Sequence, residues 1–199
     1  MDVIQKARVQ LDSQKLLLSQ RQERLEELTK EQETIDRAQR LCQSVAKQTQ
    51  ENLSVQLSGL INLALETCFP GQYTFNALFV ENRGKTELKF VLVDNKTSQP
   101  DDDILSGFGG GLVDVVSLAL RLCLHTLEKG DNLIVLDEPF KFLSVDLRPK
   151  AAQLLKELSH KLNLQFVIVT HIPEIEEVAD KLFRVQKIDG VSVVSEEGL

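Results

Sequence analysis

The stretch LIVLDEP at residues 133–139 constrains the fold more than any other part of the chain. A short run of Leu and β-branched residues is typical of a buried parallel strand. Asp137 and Glu138 follow this run, and open α/β sheets bind their ligands at the carboxyl ends of such strands. One carboxylate can hold Mg²⁺ while its neighbour polarises a water molecule. The alternative is a strand that simply ends in an acidic turn.

A second apolar run, LQFVIVTH at residues 164–171, completes a strand–helix–strand unit. Between the two runs leucines recur at helical spacing, and Pro149 suits the first turn of that helix. Strands joined in this way are expected to be parallel neighbours. Their carboxyl ends then bring Asp137, Glu138 and His171 to one edge of the sheet. A lone histidine is more often structural than catalytic, but this location favours a functional role.

The segment SGFGGG at residues 106–111 holds four glycines within five positions. Such a segment is not expected inside a helix or a strand, so we predict a loop. The apolar residues after it recur at helical spacing. A glycine-rich loop that opens a helix exposes backbone N–H groups and the positive end of the helix dipole, which suits a phosphate. A flexible turn with a helix cap is the alternative.

Residues 1–50 contain no Gly or Pro and predict one long helix, which is expected to continue to just before Pro70. Apolar residues recur every seven positions, which is typical of a coiled coil, although polar residues interrupt the seam. Any solvated amphipathic helix is the alternative. We therefore divide the chain into a coiled-coil arm, residues 1–50, which is expected to be part of a longer arm, and a lobe, residues 51–199. The first seam residues are Ile4, Leu11, Leu18 and Leu25.

Two turn signals predict β-hairpins in the lobe. Asn82-Arg83-Gly84 separates two alternating runs within residues 74–93. Asp189-Gly190 separates two further runs near the C-terminus, and this second hairpin is expected to close the sheet.

Charge and cysteine content narrow the function classes. The chain carries 23 Lys and Arg against 30 Asp and Glu, a net charge of −7, and it has no basic stripe with interleaved aromatic residues. No DNA site of its own is therefore expected. Cys42, Cys68 and Cys123 are isolated, which matches neither a zinc motif nor a disulfide framework and suits the cytoplasm. No apolar stretch is expected to approach the roughly 18 residues of a membrane span, so no membrane partner is predicted.

Taken together, the glycine-rich segment before a helix, the LDEP strand and the VTH strand resemble the ABC-type ATPases, in which they occur in this order. The long coiled-coil branch fits best, namely SbcC-type exonuclease ATPases and the structural-maintenance-of-chromosomes (SMC) proteins. The motifs cover about residues 45–199. The resemblance implies an α/β fold, the C-terminal half of an ABC-type ATPase head with a mixed sheet and flanking helices, preceded by a long coiled-coil helix.

The resemblance implies a role for each residue at the sheet edge, with ATP and Mg²⁺ as cofactors. Asp137 resembles the Walker B aspartate that supports Mg²⁺. Glu138 resembles the catalytic carboxylate that orients the attacking water. His171 resembles the switch-loop histidine that contacts the γ-phosphate.

The resemblance also assigns two segments to the interface between two heads. The signature loop, which binds the γ-phosphate of a nucleotide held by the opposite subunit, falls on Gly109, Gly110 and Gly111. The family's serine is replaced here by the first of these glycines, and Ser106 could supply a hydroxyl only in another loop register. Residues 140–144 resemble the D-loop, which crosses the dimer interface, with Ser144 where an aspartate is usual.

No GxxxxGK[ST] P-loop occurs in the 199 residues. The Gly84-Lys85-Thr86 sequence lacks the glycine five residues earlier, where Phe79 stands. A P-loop cradles the phosphates of the nucleotide. In SbcC-type and SMC proteins the P-loop lies in an N-terminal lobe beyond the coiled coil. The resemblance therefore implies an ATPase only when that lobe completes the head, and the chain alone is predicted to be inactive.

In function, the resemblance implies ATP hydrolysis that drives head dimerisation during DNA double-strand-break processing or recombination. The implied partners are the P-loop lobe, a second head in an ATP-dependent homodimer, a nuclease subunit, and DNA through the complete assembly. An SMC-type or RecN-type DNA tether without a nuclease is one alternative. A non-enzymatic coiled-coil interaction protein is the other.

Overall fold

A computed structural model of the chain describes residues 3–101, 103–128 and 131–197. The chain divides into two compact units, residues 1–50 and residues 51–199. The first is helical, and the second combines helices with small sheets. This confirms the predicted α/β class with a long N-terminal helix.

Helix α1 spans Val3–Cys68 without a break and ends just before Pro70, as predicted. Within residues 4–50, the predicted seam residues such as Leu11 and Leu18 are exposed. They recur at the spacing of the apolar residues that a coiled coil buries against a partner helix. Within residues 51–68, by contrast, α1 buries one face in the core of the lobe. The fully buried residues of this face include Leu57, Ile61 and Leu65.

Strands β1 (Tyr73–Asn82), β2 (Lys85–Asp94) and β3 (Gln99–Asp101) form an antiparallel sheet. Arg83 and Gly84 connect β1 to β2, with φ values of 52° and 75°. Two positive φ angles are what a two-residue type I′ turn requires. The predicted hairpin is therefore confirmed, and Gly84 lies in a turn between strands.

The edge of β1 that does not pair with β2 is hydrogen-bonded by a row of polar side chains on α1. Ser54, Ser58 and Asn62 lie four residues apart on the helix. Ser54 Oγ donates to the Ala77 carbonyl oxygen, and Ser58 Oγ accepts from the Ala77 N–H at 2.9 Å. The Asn62 side chain donates to the Phe75 carbonyl oxygen at 2.8 Å and accepts from the Phe75 N–H at 2.7 Å. The row satisfies backbone groups that a sheet edge otherwise leaves unpaired.

Strands β4 (Leu133–Asp137) and β5 (Gln165–Val169) are parallel neighbours, with Asp137 opposite Val169. Helix α4 (Arg148–Leu162) crosses between them, and Pro149 lies in its first turn. This confirms the predicted strand–helix–strand unit.

The expectation that the LIVLDEP strand is buried is wrong for one of its faces. Leu133 and Val135 are 49% and 67% exposed, whereas Leu136 is 8% exposed. Successive strand residues point to opposite faces, and the core covers only the face that carries Ile134 and Leu136. Val167 and Val169 of β5 are likewise exposed. One face of this two-stranded sheet is therefore bare within the described residues.

Strands β6 (Leu182–Ile188) and β7 (Val191–Glu197) form the second predicted hairpin. Its turn residues Asp189 and Gly190 have φ values of 51° and 87°. The expectation that this hairpin closes the sheet is wrong. Among the described residues, backbone hydrogen bonds join β6 only to β7, so the strands form three separate sheets.

Helices α2 (Ile104–Gly107) and α3 (Gly110–Leu127) place the glycine-rich segment differently from the prediction. Only Phe108 and Gly109 lie between the helices. Gly107 ends α2, while Gly110 and Gly111 form the first turn of α3 and lie close to residues 142–143. The prediction of a loop across the whole segment is therefore wrong. Gly110 and Gly111 are helical, and they pack closely against residues 142–143.

Helix α3 is a core helix of the lobe, followed by a short 3₁₀ turn (Val145–Leu147), α4 and the short helix α5 (Pro173–Glu176). By length and composition α3 could also cross a membrane, so the expectation that no apolar stretch approaches about 18 residues is wrong. It nevertheless buries one face among the other elements. The buried residues are Leu112, Val115, Val116, Leu118, Ala119, Leu122 and Cys123.

Candidate functional site

Glu138 and His171 meet at the carboxyl ends of β4 and β5. The Glu138 N–H donates to the Val169 carbonyl oxygen at 2.8 Å, which extends the strand pairing one residue beyond β4. Glu138 then adopts a left-handed backbone conformation with a φ of 47°. This conformation costs a non-glycine residue about 1–3 kcal/mol, and such residues cluster at functional sites. Glu138 Oε1 lies 2.8 Å from His171 Nδ1.

The contact assigns the donor and the acceptor of this hydrogen bond. A carboxylate can only accept, so His171 Nδ1 carries the shared hydrogen and Nε2 is left for another partner. The hydrogen bond from His171 is the main reason that the pKa of Glu138 lies below its ordinary value. Glu138 is therefore ionised at neutral pH. The His171 side chain is 72% exposed, so its free nitrogen can reach a ligand.

The second carboxylate oxygen of Glu138 makes no hydrogen bond to the described residues. This oxygen, Oε2, is also shielded from solvent. A shielded carboxylate oxygen without a partner is costly.

Asp137 ends β4 beside this pair, and its side chain is exposed. The described residues contain no group of three or more His, Cys, Asp or Glu side chains that could hold a metal ion by themselves. Mg²⁺ is commonly held by one or two carboxylates together with phosphates and water. Asp137 fits as one oxygen ligand of such an ion.

A cleft of about 400 Å³ runs from α3 to the end of β4. It places Asp137 and Glu138 on one side and Asp114 on the other. Its lining residues are Asp114, Ser117, Leu118, Arg121, Val135, Leu136, Asp137, Glu138, Pro139 and Phe140.

The N-terminal end of α3 is open. Gly109 is the N-cap residue, with φ −67° and ψ 147°, and no described side chain makes a capping hydrogen bond to the helix. The Gly109 carbonyl oxygen accepts from the Leu112 N–H at 3.0 Å. The N–H groups of the first turn lack intrahelical partners, and the helix dipole is positive there. This end suits an anion.

The first-turn glycines are required by close packing against residues 140–144. A Cβ atom on Gly111 would lie 3.0 Å from Leu143 Cδ1 and 3.1 Å from the Phe142 carbonyl oxygen. A Cβ atom on Gly110 would lie 3.3 Å from Phe142 Cβ. Contacts this short force neighbours to shift, so the segment can approach the helix only because glycine stands there.

Residues 140–144, the D-loop segment, are anchored at two side chains and exposed at another. Phe140 and Leu143 are buried, whereas Phe142 is 67% exposed, with Lys141 Nζ 5.7 Å from its ring centroid. Ser144 is exposed and precedes the 3₁₀ turn, without a side-chain cap bond.

Two polar contacts fix the backbone of the D-loop segment. The Phe142 N–H donates to Asp114 Oδ2 of α3 at 2.9 Å, and Arg148 Nε donates to the Leu143 carbonyl oxygen at 3.4 Å. Asp114 was missed by the sequence analysis. The signal was present, since Asp114 is the only acidic residue of α3.

The structure thus brings Glu138 and His171 into contact, with Asp137 at the end of the same strand. Gly109, Gly110, Gly111 and Ser144 lie instead where α3 meets the D-loop segment. The backbone of Ser106 belongs to α2, but its side chain lies outside the described part of the structure.

Comparison with known proteins agrees with this arrangement. No family model matches the chain. The "DNA double-strand break repair Rad50 ATPase" of Thermococcus kodakarensis is 33% identical over 93 residues, which cover 46% of this chain and 10% of the relative. The proteins of the same name from Methanocaldococcus jannaschii and Archaeoglobus fulgidus are 34% identical over 96 residues (47% of this chain, 9% of the relative) and 33% identical over 114 residues (56% and 12%). The matched segments thus span about a tenth of the length of these relatives.

Solved structures show the same fold. A chain from a study of ATP-driven dimerisation and DNA-stimulated activation of SMC ATPases superposes with a TM-score of 0.61 at 21% identity, covering 78% of this chain and 89% of that one. The SMC head domain of Thermotoga maritima gives a TM-score of 0.54 at 24% identity, covering 74% and 49%. The resemblance to the C-terminal lobe of an SbcC/SMC-like ATPase head is confirmed.

Proposed function

We propose that this chain supplies the C-terminal lobe of an ATPase head that acts in DNA double-strand-break repair or recombination. The observation that carries the proposal is the Glu138–His171 contact at the end of β4, beside Asp137. An ionised carboxylate held by a histidine at this sheet edge is suited to water activation. The names of the sequence relatives favour a role in DNA repair over the alternative of a DNA tether. The Glu138–His171 contact beside Asp137 favours an ATPase over the alternative of a non-enzymatic coiled-coil protein.

Each residue at the edge has a proposed role. Glu138 accepts a hydrogen bond from the attacking water through its carboxylate and thereby orients the water. His171 donates Nδ1–H to Glu138 and, in the imidazolium form, would donate Nε2–H to the γ-phosphate. Asp137 holds Mg²⁺, which when bound neutralises the charge that develops on the phosphates.

A P-loop lobe is the proposed partner that completes the site. The bare face of the β4–β5 sheet supports this, because Leu133, Val135, Val167 and Val169 expose an apolar surface beside the proposed catalytic residues. Covering this face would extend a two-stranded sheet into a full α/β layer. We expect the chain alone to bind ATP weakly and to hydrolyse none, and we place the assembly in the cytoplasm.

A second head is the proposed partner in an ATP-dependent homodimer. The open N-terminal end of α3 would bind the γ-phosphate of the nucleotide held by that head, through Gly109, Gly110 and Gly111, with Ser144 at the contact. A nuclease subunit and DNA would join the complete assembly. Gly110→Arg would place a Cβ atom 3.3 Å from Phe142 Cβ and add a long cation at this end of α3, which should displace the D-loop segment, so the variant head should bind ATP and fail to dimerise.

The Glu138→Gln variant tests the proposed function in a head that contains both lobes. Glutamine keeps the shape of the side chain but cannot accept a proton, so ATP turnover should fall by about 10²–10⁴-fold. ATP-bound dimers should persist, measured by light scattering. The exposed Glu177→Gln is the matched control and should leave turnover unchanged. Near-normal hydrolysis by Glu138→Gln would remove Glu138 from the proposed mechanism.

A further inference from the structure

The D-loop segment carries its exposed aromatic side chain between two buried anchors. Phe140 and Leu143 are 3% exposed, and Phe142 between them is 67% exposed. The buried side chains fix the two ends of the segment. The Leu143 N–H also donates to the Phe140 carbonyl oxygen at 3.0 Å, so residues 140–143 form a turn with the Phe142 side chain exposed.

Asp114 contacts the backbone at this position. Its Oδ2 accepts from the Phe142 N–H at 2.9 Å. A hydrogen bond to an ionised carboxylate is about twice as strong as a neutral one and sets the orientation of the amide that donates it. Asp114 thereby holds the turn that carries Phe142 against α3.

The location of Asp114 argues against a role in phosphate binding. It lies four residues after Gly110, within the first two turns of the helix whose N-terminal end suits an anion. A negative charge there opposes the binding of a phosphate, and Asp114 is the only acidic residue of α3. A carboxylate at this place therefore has another role, and its contact with the Phe142 N–H supplies one.

We propose that Asp114 is a positioning residue, which joins the start of α3 to the D-loop segment so that both meet a second head as one rigid surface. The proposal rests on the proposed function, because it deepens the account of the dimer contact. In it, the glycines of α3 allow the close approach, and Asp114 holds the turn with the exposed Phe142 against the helix.

The experiment uses the head assembled from this chain and its P-loop lobe, with Asp114→Ala and Asp114→Asn. Hydrogen exchange should show the Phe142 amide exchanging at least about tenfold faster in Asp114→Ala, the factor expected for loss of a hydrogen bond to a charged group. The dissociation constant of the ATP-dependent dimer should rise by a similar factor. ATP affinity of the single head should stay unchanged, which separates positioning from a general loss of structure.

Asp114→Asn keeps an acceptor oxygen for the Phe142 N–H and should restore most of the dimerisation. Asp131→Ala removes an exposed carboxylate beyond the other end of α3 and should behave like the wild type. Failure of the wild-type head to dimerise with ATP would refute the proposed function. Normal dimerisation by a folded Asp114→Ala head, or unchanged exchange at Phe142, would refute only the positioning role.

Discussion

Removing the Asn62 side chain should destabilise the lobe more than any other change to a polar residue on α1. Asn62 exchanges two hydrogen bonds, at 2.7 and 2.8 Å, with the N–H and carbonyl oxygen of Phe75. Phe75 is fully buried, so water has poor access to these backbone groups once the side chain is gone. Asn62→Ala therefore leaves a donor and an acceptor unsatisfied.

The magnitude follows from the two bonds. Each net hydrogen bond contributes about 0.5–1.5 kcal/mol, and an unsatisfied buried group costs about 1–3 kcal/mol. We expect Asn62→Ala to lower the free energy of unfolding by about 2–4 kcal/mol. Alanine also has a higher helix propensity than asparagine, so the control variant must carry the same substitution on the same helix. Asn52→Ala does so, since Asn52 is an exposed asparagine on the same helix.

Urea unfolding of the whole chain, followed by circular dichroism, measures both variants. The midpoint should fall for Asn62→Ala with an unchanged slope, and should stay or rise slightly for Asn52→Ala. A difference below about 0.5 kcal/mol between the variants would show that the polar row does not hold α1 to β1. Asn62→Asp adds a graded step, because it keeps the acceptor and loses the donor, and protonation at low pH restores that donor.

Two further predictions concern the site. Gly111→Ala should destabilise the chain by about 1–3 kcal/mol, because its Cβ would lie 3.0 Å from Leu143 Cδ1. The control Gly59→Ala has open space around it and should stabilise α1 by about 0.5–1 kcal/mol. Equal shifts of Tm for the two variants would contradict this prediction. The hydrogen bond from His171 holds the pKa of Glu138 below its ordinary value, so its contribution to stability is present above the unfolded pKa and is lost as pH falls through the folded pKa. His171→Ala should raise the pKa of Glu138 in an NMR titration, and an unchanged titration would exclude the contact in solution.

Local sequence patterns determined the elements of this protein. The apolar run before Asp137 and the run before Thr170 form the strands they predicted, and Pro149 lies in the first turn of the helix between them. Arg83-Gly84 and Asp189-Gly190 form the two turns. These features depend on side-chain periodicity and on φ preferences, which neighbouring residues in the chain decide.

Tertiary structure alone decided how these elements are covered and joined. The sequence cannot show that only one face of β4 is buried, because the same apolar run fits a strand covered on one face or on both. Nor can it show that the second hairpin stays separate, since either edge of a hairpin can pair.

The candidate site was likewise determined partly by local sequence and partly by tertiary structure. The parallel strands placed Asp137, Glu138 and His171 at one edge, but the left-handed backbone of Glu138 brings the carboxylate to the imidazole. Asp114 and Asn62 escaped the sequence analysis because both bind backbone groups of a segment far along the chain. A side chain that bonds to backbone leaves no pattern in its partner's sequence, so only the folded chain reveals which amide or carbonyl it meets.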